Sequence, residues 1–366
     1  MRMHRSRSGL NTLWVLPLFV AACSHELPPS EPKFVTERAT SVDASATELI
    51  VLRDEQAGIE VAVAPSRGGE LAGLSVRRAG RWIETLYRGR DYSPVDGFKG
   101  KGPFLWPATG RNFPPDLEKR RQAGESFDDG AYEHNGVRRP IPIHGFAQAA
   151  EWIVEAEAAD DAGTSVLLSF NDNEQTREWY LFGFRATVEY VLSGGNLEMR
   201  YVINAAESNT EPMFFSIGNH IAFVAPLIAG SDPAKMELVT PSSIELLKTD
   251  YGTPTGETRP RSHADGVELG EFPPLVAISL AGYPQGEDPW VEYTDPAGLT
   301  IRMSHHASKV PANPVVLFNL WGDVRAGFYS PEPWVGLQNS FVLREGLIYL
   351  DAGERFDWTI TISISQ

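Results

Sequence analysis

The sequence predicts an all-β protein, a large antiparallel β-sandwich, on three observations. Short runs that alternate apolar and polar residues, or that are rich in β-branched residues, recur along the chain as expected of strands. Turn-forming segments such as residues 193–196 and 295–298 separate these runs. Helical periodicity is confined to one short candidate, residues 117–122, whereas 33 Gly and 27 Pro punctuate the chain. The clearest predicted strands are residues 49–52, 59–63, 165–170, 184–191, 197–203 and 358–364.

The N-terminal residues have the features of an export signal. Three arginines precede an apolar run, residues 10–22, which is shorter than the ~20 residues that a membrane-spanning helix needs. The run ends at Cys23 in a pattern that resembles the lipobox of bacterial lipoproteins, and Cys23 is the only cysteine in the chain. We therefore predict a lipoprotein signal peptide at residues 1–22 and lipidation of Cys23. An ordinary signal peptide with a chance cysteine is the alternative.

The residues after the signal divide into a tether and one domain. Residues 23–46 contain three prolines among polar residues and are predicted to be a flexible tether. Residues 47–366 show no linker-like break and are predicted to form a single domain. Ser24, rather than an aspartate, follows Cys23, which in bacterial lipoproteins favours the outer membrane. We therefore expect an exported protein that is lipid-anchored in the bacterial cell envelope and faces the periplasm.

The charge of the chain limits its partners. The formal net charge is −16, and no run rich in Lys or Arg interrupts it after the predicted signal. Such an acidic surface repels phosphate groups, so it argues against nucleic acid and against anionic lipid surfaces as partners. The expected contact with a membrane is therefore through the lipid anchor only.

Two histidines lie beside glycine on stiff backbone. His144 follows a proline-containing stretch and precedes Gly145, which permits a tight turn or a close backbone approach. On an alternating strand, His220 shares a face with Gly218, whose small size leaves space beside the imidazole, whereas Asn219 lies on the other face. An unperturbed imidazole titrates at about pH 6.5, so both histidines are candidates for proton transfer. A structural histidine bonded within the fold is the alternative for each.

Glu332 is the candidate base. It lies between Pro331 and Pro333, which restrict its backbone, and we expect the four-residue segment that ends at Trp334 to be a rigid turn. A carboxylate among indoles tends to have its pKa raised by desolvation, as a general base that works near neutral pH requires. Trp334 is suited to stack on the apolar face of a sugar ring. A surface turn with an incidental acid is the alternative.

Arg111, in a loop that begins with Trp106 and Pro107, is a further candidate. Its guanidinium offers five donors in a fixed geometry, which suits the vicinal hydroxyls of a sugar. A solvated loop arginine is the alternative.

Taken together and in order, these segments resemble the aldose 1-epimerase (mutarotase) family. The resemblance extends over nearly the whole predicted domain. It rests on Gly-Gly-Glu-Leu-Ala at 68–72, the Trp-Pro to Gly-Arg loop at 106–111, His-Gly at 144–145, Gly-Asn-His at 218–220, Glu-Pro-Trp at 332–334 and Leu-Asp-Ala-Gly-Glu at 350–354.

The resemblance implies a galactose mutarotase-like sandwich with its site on the concave face. It implies that Glu332 takes the proton of the anomeric hydroxyl and that His220 protonates the ring oxygen of an aldose. His144 then holds or polarises the ring oxygen, and Arg111 binds a hydroxyl. Asn219 is predicted to contact the substrate with Arg111 and Trp334. The substrate implied is a monosaccharide or the end of a longer sugar, and no metal or organic cofactor is implied.

The chain also departs from the family pattern. Family members usually supply a sugar-binding aspartate between the second histidine and the glutamate. Asp250 is the best candidate here, followed by Asp232. Residues 336–340 carry amides where relatives often have an acidic residue, and residues 253–274 resemble an insertion that could cover the cleft.

Other functions stay open at this point. One is a non-catalytic carbohydrate-binding lipoprotein on the same fold. A sugar lyase or hydrolase is less favoured, because a hydrolase should present a pair of carboxylates and only Glu332 stands out. His305 and His306 are adjacent, so on a strand they point to opposite faces and cannot hold one metal ion together. We predict them to be solvent-facing or edge residues.

Overall fold

The computed structural model describes residues 32–42, 45–88, 102–125, 130–312 and 315–366. These residues form 26 strands, three short α-helices and four 3₁₀ turns at Ala147–Ala149, Pro233–Lys235, Leu269–Glu271 and Val324–Ala326. The helices are α1 (Pro115–Gln122), α2 (Glu174–Trp179) and α3 (Ser340–Leu343). The strands are β1 (Phe34–Thr40), β2 (Glu48–Asp54), β3 (Ile59–Ala64), β4 (Glu70–Arg78), β5 (Arg81–Glu84), β6 (Phe104–Leu105), β7 (Gly130–His134), β8 (Val137–Ile141), β9 (Ile153–Ala159), β10 (Thr164–Asn171), β11 (Phe184–Ser193), β12 (Asn196–Ala205), β13 (Met213–Phe215), β14 (Ile217–Asn219), β15 (Phe223–Val224), β16 (Glu237–Thr240), β17 (Ile244–Lys248), β18 (Pro254–Pro260), β19 (His263–Glu268), β20 (Ile278–Ala281), β21 (Trp290–Thr294), β22 (Thr300–Ala307), β23 (Val316–Asp323), β24 (Phe328–Val335), β25 (Ile348–Leu350) and β26 (Arg355–Ser365).

Three large sheets carry the fold. The nine-stranded sheet has the order β19-β16-β21-β22-β26-β12-β11-β10-β9, and a five-stranded sheet joins β1 to β5 in chain order. The eight-stranded sheet has the order β18-β17-β20-β23-β24-β14-β6, with β15 also paired to β24. Strands that are neighbours in these sheets pair antiparallel, as in β11 with β12 and β23 with β24. All three sheets contribute to one continuous hydrophobic core, so the prediction of an all-β antiparallel sandwich is confirmed.

The alternation that predicted the strands corresponds to burial. Along β11 and β12 buried residues alternate with exposed or half-buried ones, so each strand presents one apolar face to the core. The six predicted strands all lie within strands of the structure, and the short helical candidate is α1. None of the helices among the described residues is long and apolar enough to cross a membrane.

The domain begins earlier than the sequence indicated. The predicted tether reached residue 46, but Phe34–Thr40 forms β1 and pairs with β2 along its whole length. The compact unit begins at Lys33. Phe34 is buried and Arg38 forms ion pairs, one of them with Glu157 of β9 at 2.6 Å. The predicted end of the tether at residue 46 was therefore wrong. The predicted signal peptide and Cys23 lie outside the described residues.

The predicted insertion, residues 253–274, forms two edge strands. β18 pairs with β17 at the edge of the eight-stranded sheet, and β19 pairs with β16 at the edge of the nine-stranded sheet. The segment therefore extends both sheets, since its backbone donors and acceptors are used in the two ladders.

His305 is buried, contrary to the prediction that it faces solvent or an edge. It lies on β22, between β21 and β26, where Trp358 donates a hydrogen bond from Nε1 to its Nδ1 at 3.1 Å. Burial lowers the pKa of His305 to about 3, so the imidazole is neutral in the folded protein. His306 is exposed and its Nδ1 lies 2.7 Å from Oδ1 of Asp288, so the two histidines do point to opposite faces as predicted.

Candidate functional site

Glu332 lies in the middle of β24, a strand inside the eight-stranded sheet, and not in a turn as predicted. β23 pairs with β24 along its whole length, with Asn319 opposite Glu332. On its other side, among the described residues, β24 pairs only near its two ends, with β15 and with β14. The prolines on either side of Glu332 are tolerated because, in this described part of the chain, no strand between those two pairings needs their N–H. The Glu332 side chain is only 1% exposed.

His220 follows β14 directly and faces Glu332. Its Nε2 lies 3.4 Å from Oε1 of Glu332, and its backbone N–H donates to the carbonyl of Pro103 at 3.0 Å. The ring is 5% exposed. A buried imidazole and a buried carboxyl group therefore meet edge to edge.

Hydrogen bonds around His220 assign its tautomer. The hydroxyl of Ser330 donates its only proton to the carbonyl of Ile221, and the same oxygen lies 3.3 Å from Nδ1 of His220. Because that oxygen has no second proton, Nδ1 must be the donor in this contact. In the neutral ring Nε2 then presents its lone pair to Glu332.

His144 has the opposite tautomer. The backbone N–H of Gly110 donates to its Nδ1 at 3.0 Å, so in the neutral ring the proton is on Nε2. His144 has a positive φ of 62° and Gly145 one of 72°, which bends the chain toward Gly110 and Trp106. The ring centroids of His144 and His220 are 5.4 Å apart. The structure therefore brings together the three residues predicted to transfer protons.

Burial shifts the pKa of each of these groups in the direction that favours its neutral form. Burial raises the pKa of Glu332 well above its ordinary range, against the opposing effects of Asn319, Lys248 and Trp334. Burial also lowers the pKa of His220 to about 4. The pKa of His144 is lowered by burial and, to a lesser extent, by its neighbours His220 and Arg111. These directions favour one proton on the pair near neutral pH, held mainly by Glu332 and in exchange with the form in which His220 carries it.

Polar atoms of the site lack partners. Neither carboxylate oxygen of Glu332 has a hydrogen-bond partner of good geometry among the described residues, although Asn319 and Trp334 are near enough to oppose the rise in its pKa. Nε1 of Trp334 also lacks an acceptor within the described part of the chain. Buried polar groups are normally bonded, so these atoms are suited to a polar ligand.

Aromatic rings form the walls around the pair. Between ring centroids, Trp334 lies 6.0 Å from His144 and Trp321 lies 5.4 Å from His220. A Cβ added to Gly218 would come within 2.6 Å of the Trp334 ring. The small residue therefore makes room for Trp334, not for a ligand as the strand pattern suggested.

The other predicted site residues are placed differently. Arg111 is exposed and follows Gly110, so it lies at the rim beside His144. Asn219 faces the core, where its Nδ2 donates to the carbonyl of Gly102 at 3.0 Å and contacts the Tyr201 hydroxyl at 3.3 Å. The structure therefore does not bring Asn219 to the proton-transfer group, because it is on the face of β14 opposite to His220.

Neither candidate for the sugar-binding aspartate contacts this group. Asp250 is exposed in the turn between β17 and β18. The Gln338 side chain donates to the carbonyl of Tyr251 in this turn at 3.4 Å, and it also packs within 2.5 Å of the position that a Cβ on Gly110 would take, so the turn lies near the loop that carries Arg111. Asp232 caps the 3₁₀ turn at Pro233–Lys235. No group of three or more His, Cys, Asp or Glu side chains in the described ranges is placed to hold a metal ion.

Sequence reasoning missed the polar side chains behind Glu332. Lys248, the last residue of β17, has its Nζ 3.0 Å from Oγ of Ser279 and 3.1 Å from Oδ1 of Asn319. Each of these residues is common on strands and turns, and only the pairing of β17, β20, β23 and β24 brings them beside the carboxylate. No local sequence signal distinguishes them.

Comparisons with known proteins agree on family and fold. The model of the family described as aldose 1-epimerase matches residues 49–270. Similar solved structures include a galactose mutarotase-like protein from Clostridium acetobutylicum, with 18% identity, a TM-score of 0.70 and coverage of 90% of this chain and 99% of that one. The Slr1438 protein from Synechocystis sp. PCC 6803 has 22% identity, a TM-score of 0.66 and coverage of 93% and 98%.

A third similar structure is galactose 1-epimerase from Lactobacillus acidophilus NCFM, with 16% identity, a TM-score of 0.64 and coverage of 91% of this chain and 99% of that one. No curated protein matches the chain. Identities this low show the fold alone, and they confirm the predicted galactose mutarotase-like sandwich.

Proposed function

The chain belongs to the aldose 1-epimerase family, and on that basis we propose that it interconverts the α and β anomers of an aldose at the Glu332–His220 pair. The observation that carries the proposal is the 3.4 Å contact between Oε1 of Glu332 and Nε2 of His220. Anomer exchange needs an acid and a base that act on two oxygens bound to the same carbon, and this pair offers both groups from one side.

The reaction removes one proton from the sugar and adds one to it, and the Glu332–His220 pair can carry out both transfers. Ring opening removes a proton from the anomeric hydroxyl O1, adds one to the ring oxygen O5 and breaks the C1–O5 bond. With the shared proton on His220, the Glu332 carboxylate accepts the O1 proton while Nε2–H of His220 donates to O5. The products are an open-chain aldehyde, a protonated Glu332 and a neutral His220.

Ring closure reverses these roles. Rotation about the C1–C2 bond presents the opposite face of the carbonyl, and the C5 hydroxyl then attacks C1. His220 accepts the proton of that hydroxyl as Glu332 donates its proton to the carbonyl oxygen. The site returns to its starting charge with the anomeric centre inverted, so no co-reactant is consumed.

The surrounding residues support binding of a sugar. His144 is a neutral donor at Nε2, which suits a contact with the ring oxygen. Trp334 offers an apolar ring face and an Nε1–H for which the described residues supply no acceptor of good geometry. We expect the exposed Arg111 and the exposed turn that carries Asp250 to bind hydroxyl groups farther from C1.

Polarimetry tests this proposal. We expect the purified protein to accelerate the change in optical rotation of freshly dissolved α-glucose or α-galactose in proportion to its concentration, without altering the final rotation. The final value must stay constant because a catalyst does not change the anomeric equilibrium. No acceleration over buffer for any aldose tested would refute the proposal. Sugar-dependent quenching of tryptophan fluorescence without acceleration would favour the carbohydrate-binding alternative.

We also propose that the protein is exported and lipid-anchored through Cys23 in the bacterial cell envelope. We expect a bacterium that expresses the full chain with radiolabelled fatty acid to incorporate label into the protein and to retain it in the membrane fraction. Cys23→Ser is the matched control, because Cys23 is the only thiol in the chain. Equal labelling of the two proteins would refute the anchor.

A further inference from the structure

A row of polar side chains runs across four neighbouring strands to Glu332. Asn319 is opposite Glu332 in the pairing of β23 with β24, and Ser279 is opposite Asn319 in the pairing of β20 with β23. Leu246 of β17 is opposite Ser279, and Lys248 is two residues farther along the same strand. The pairing of β17 with β18 is irregular between these two residues, but Nζ of Lys248 reaches Ser279 at 3.0 Å and Asn319 at 3.1 Å, so its side chain joins this row.

Hydrogen bonds fix the orientation of the Asn319 amide. Its Oδ1 accepts from Nζ of Lys248 at 3.1 Å and from Oγ of Ser279 at 2.9 Å. The oxygen of the amide is therefore turned toward Lys248, and its NH₂ group is turned the other way, toward the Glu332 carboxylate. Asn319 is near enough to Glu332 to lower the pKa of the carboxyl group against the effect of burial.

The hydrogen-bond partners of Lys248 in the described ranges are neutral side chains. Among the residues that the structure describes, Lys248 is in no ion pair, and two carboxylates, Glu332 and Glu245, act on it through charge. Glu245 is already paired with Arg259 at 2.8 Å and with Arg261 at 2.7 Å. Glu332 is thus the carboxylate near Lys248 whose charge is not otherwise balanced by Arg or Lys.

The other groups that face Glu332 do not replace this cation. His220 does not supply a lasting positive charge, because burial lowers its pKa to about 4 and the proton that it carries during the reaction is the one it shares with Glu332. Tyr329, on the same strand, has its pKa raised by burial and stays uncharged. Trp334 and Asn319 offer only neutral donors. Burial lowers the pKa of Lys248 to about 8, so it is charged at neutral pH and loses its charge in mildly alkaline solution.

We propose that Lys248 is a positioning residue for Glu332, holding the Asn319 amide and supplying the positive charge that favours the carboxylate form of the base. The expected effect of Lys248 on turnover rests on the proposed function. The expected effect of Lys248 on the ionisation of Glu332 does not depend on that function.

The positive charge of Lys248 determines how its removal changes activity at each pH. Removing the ammonium leaves the buried carboxylate without a cation, which raises the pKa of Glu332 further. More of the pair then holds its shared proton on Glu332 with His220 neutral, so less of the variant is in the reactive form. The loss of activity is largest in acid and neutral solution, where wild-type Lys248 is charged. Above pH 8 the wild-type Lys248 is itself losing its charge, and the difference between the two proteins should shrink. A purely structural role would lower the rate equally at all pH values.

The test compares Lys248→Met and Lys248→Gln, which remove the charge, with Lys248→Arg, which keeps it. Lys235→Met is the matched control, since Lys235 is exposed and paired with Glu268. We expect kcat/KM of the two neutral variants to fall roughly 10- to 100-fold at pH 6.5 and to approach the wild-type value above pH 9. Lys248→Arg should retain most activity at pH 6.5.

A second readout does not depend on turnover. The infrared band of the protonated Glu332 carboxyl group, identified by its loss in Glu332→Gln, is followed as a function of pH in each protein. In Lys248→Met the band should persist to higher pH than in the wild type, and in Lys248→Arg it should not. An unmoved band, or a pH-independent loss of rate in the neutral variants, would overturn the proposal. If the wild type shows no turnover at all, the proposed function fails and the infrared titration alone decides the role of Lys248.

Discussion

Replacing Glu332 with glutamine is expected to lower kcat for anomer exchange by ~100- to 10,000-fold, the range typical of losing a general acid or base. Glutamine has nearly the same shape as glutamate and can keep the contacts with Asn319 and Trp334, but its amide cannot accept the proton of O1. We expect KM to change little, because the variant removes a proton acceptor and leaves the surrounding walls in place. Initial rates of optical rotation at several sugar concentrations give both constants.

The control for this variant is Glu268→Gln, which changes an exposed glutamate on β19 that pairs with Lys235. It should keep the wild-type rate. A folded Glu332→Gln protein with near-full activity would show that Glu332 is not the base. The far-ultraviolet circular dichroism spectrum establishes that each variant is folded.

Replacing His220 with asparagine is expected to lower kcat by at least ~100-fold. Asparagine can still reach toward Ser330 but offers no group that both donates and accepts a proton during the reaction. The loss should be similar for ring opening and ring closure, because His220 donates in one step and accepts in the other.

His306→Asn is the matched control, since His306 is exposed on β22 and pairs with Asp288. It should have wild-type kinetics. A larger loss in His144→Gln than in His220→Asn would contradict the roles given to the two rings, because it would place the essential proton transfer on His144.

The strands of the fold were predictable because their signal is local. β11 and β12 alternate apolar and polar residues over ten positions each, and that period appears in the sequence before any pairing is known. β1 was missed for a physical reason. It is an edge strand that buries only Phe34 fully, so charged and polar residues dominate its seven positions and imitate a tether.

The turn predicted at Glu332 shows where local rules fail. Two prolines around one residue normally exclude a strand inside a sheet, because each removes a backbone donor. In β24 the neighbouring strands β14 and β15 pair only near the ends, and this gap tolerates both prolines. The gap depends on strand pairing between distant segments, which no local pattern reports.

The site was predictable to the extent that its residues have unusual neighbours. His144 and Glu332 were found through glycine and proline beside them, and the structure places both next to His220. Lys248 has no such signal, because a lysine at the end of a strand is normally solvated. Asn219 was selected for its place in the Gly-Asn-His motif, although strand alternation already put its side chain on the face opposite to His220.

Anomeric exchange at equilibrium shows whether the Glu332–His220 pair carries the reaction. Saturating the α-anomeric proton signal in a nuclear magnetic resonance experiment and recording the loss of the β signal measures the exchange rate without any net reaction. We predict fast transfer with the wild-type protein for at least one aldose, and transfer at the buffer rate with Glu332→Gln and with His220→Asn. Equal transfer in the wild type and both variants would contradict the account, because the Glu332–His220 pair would then not carry the reaction.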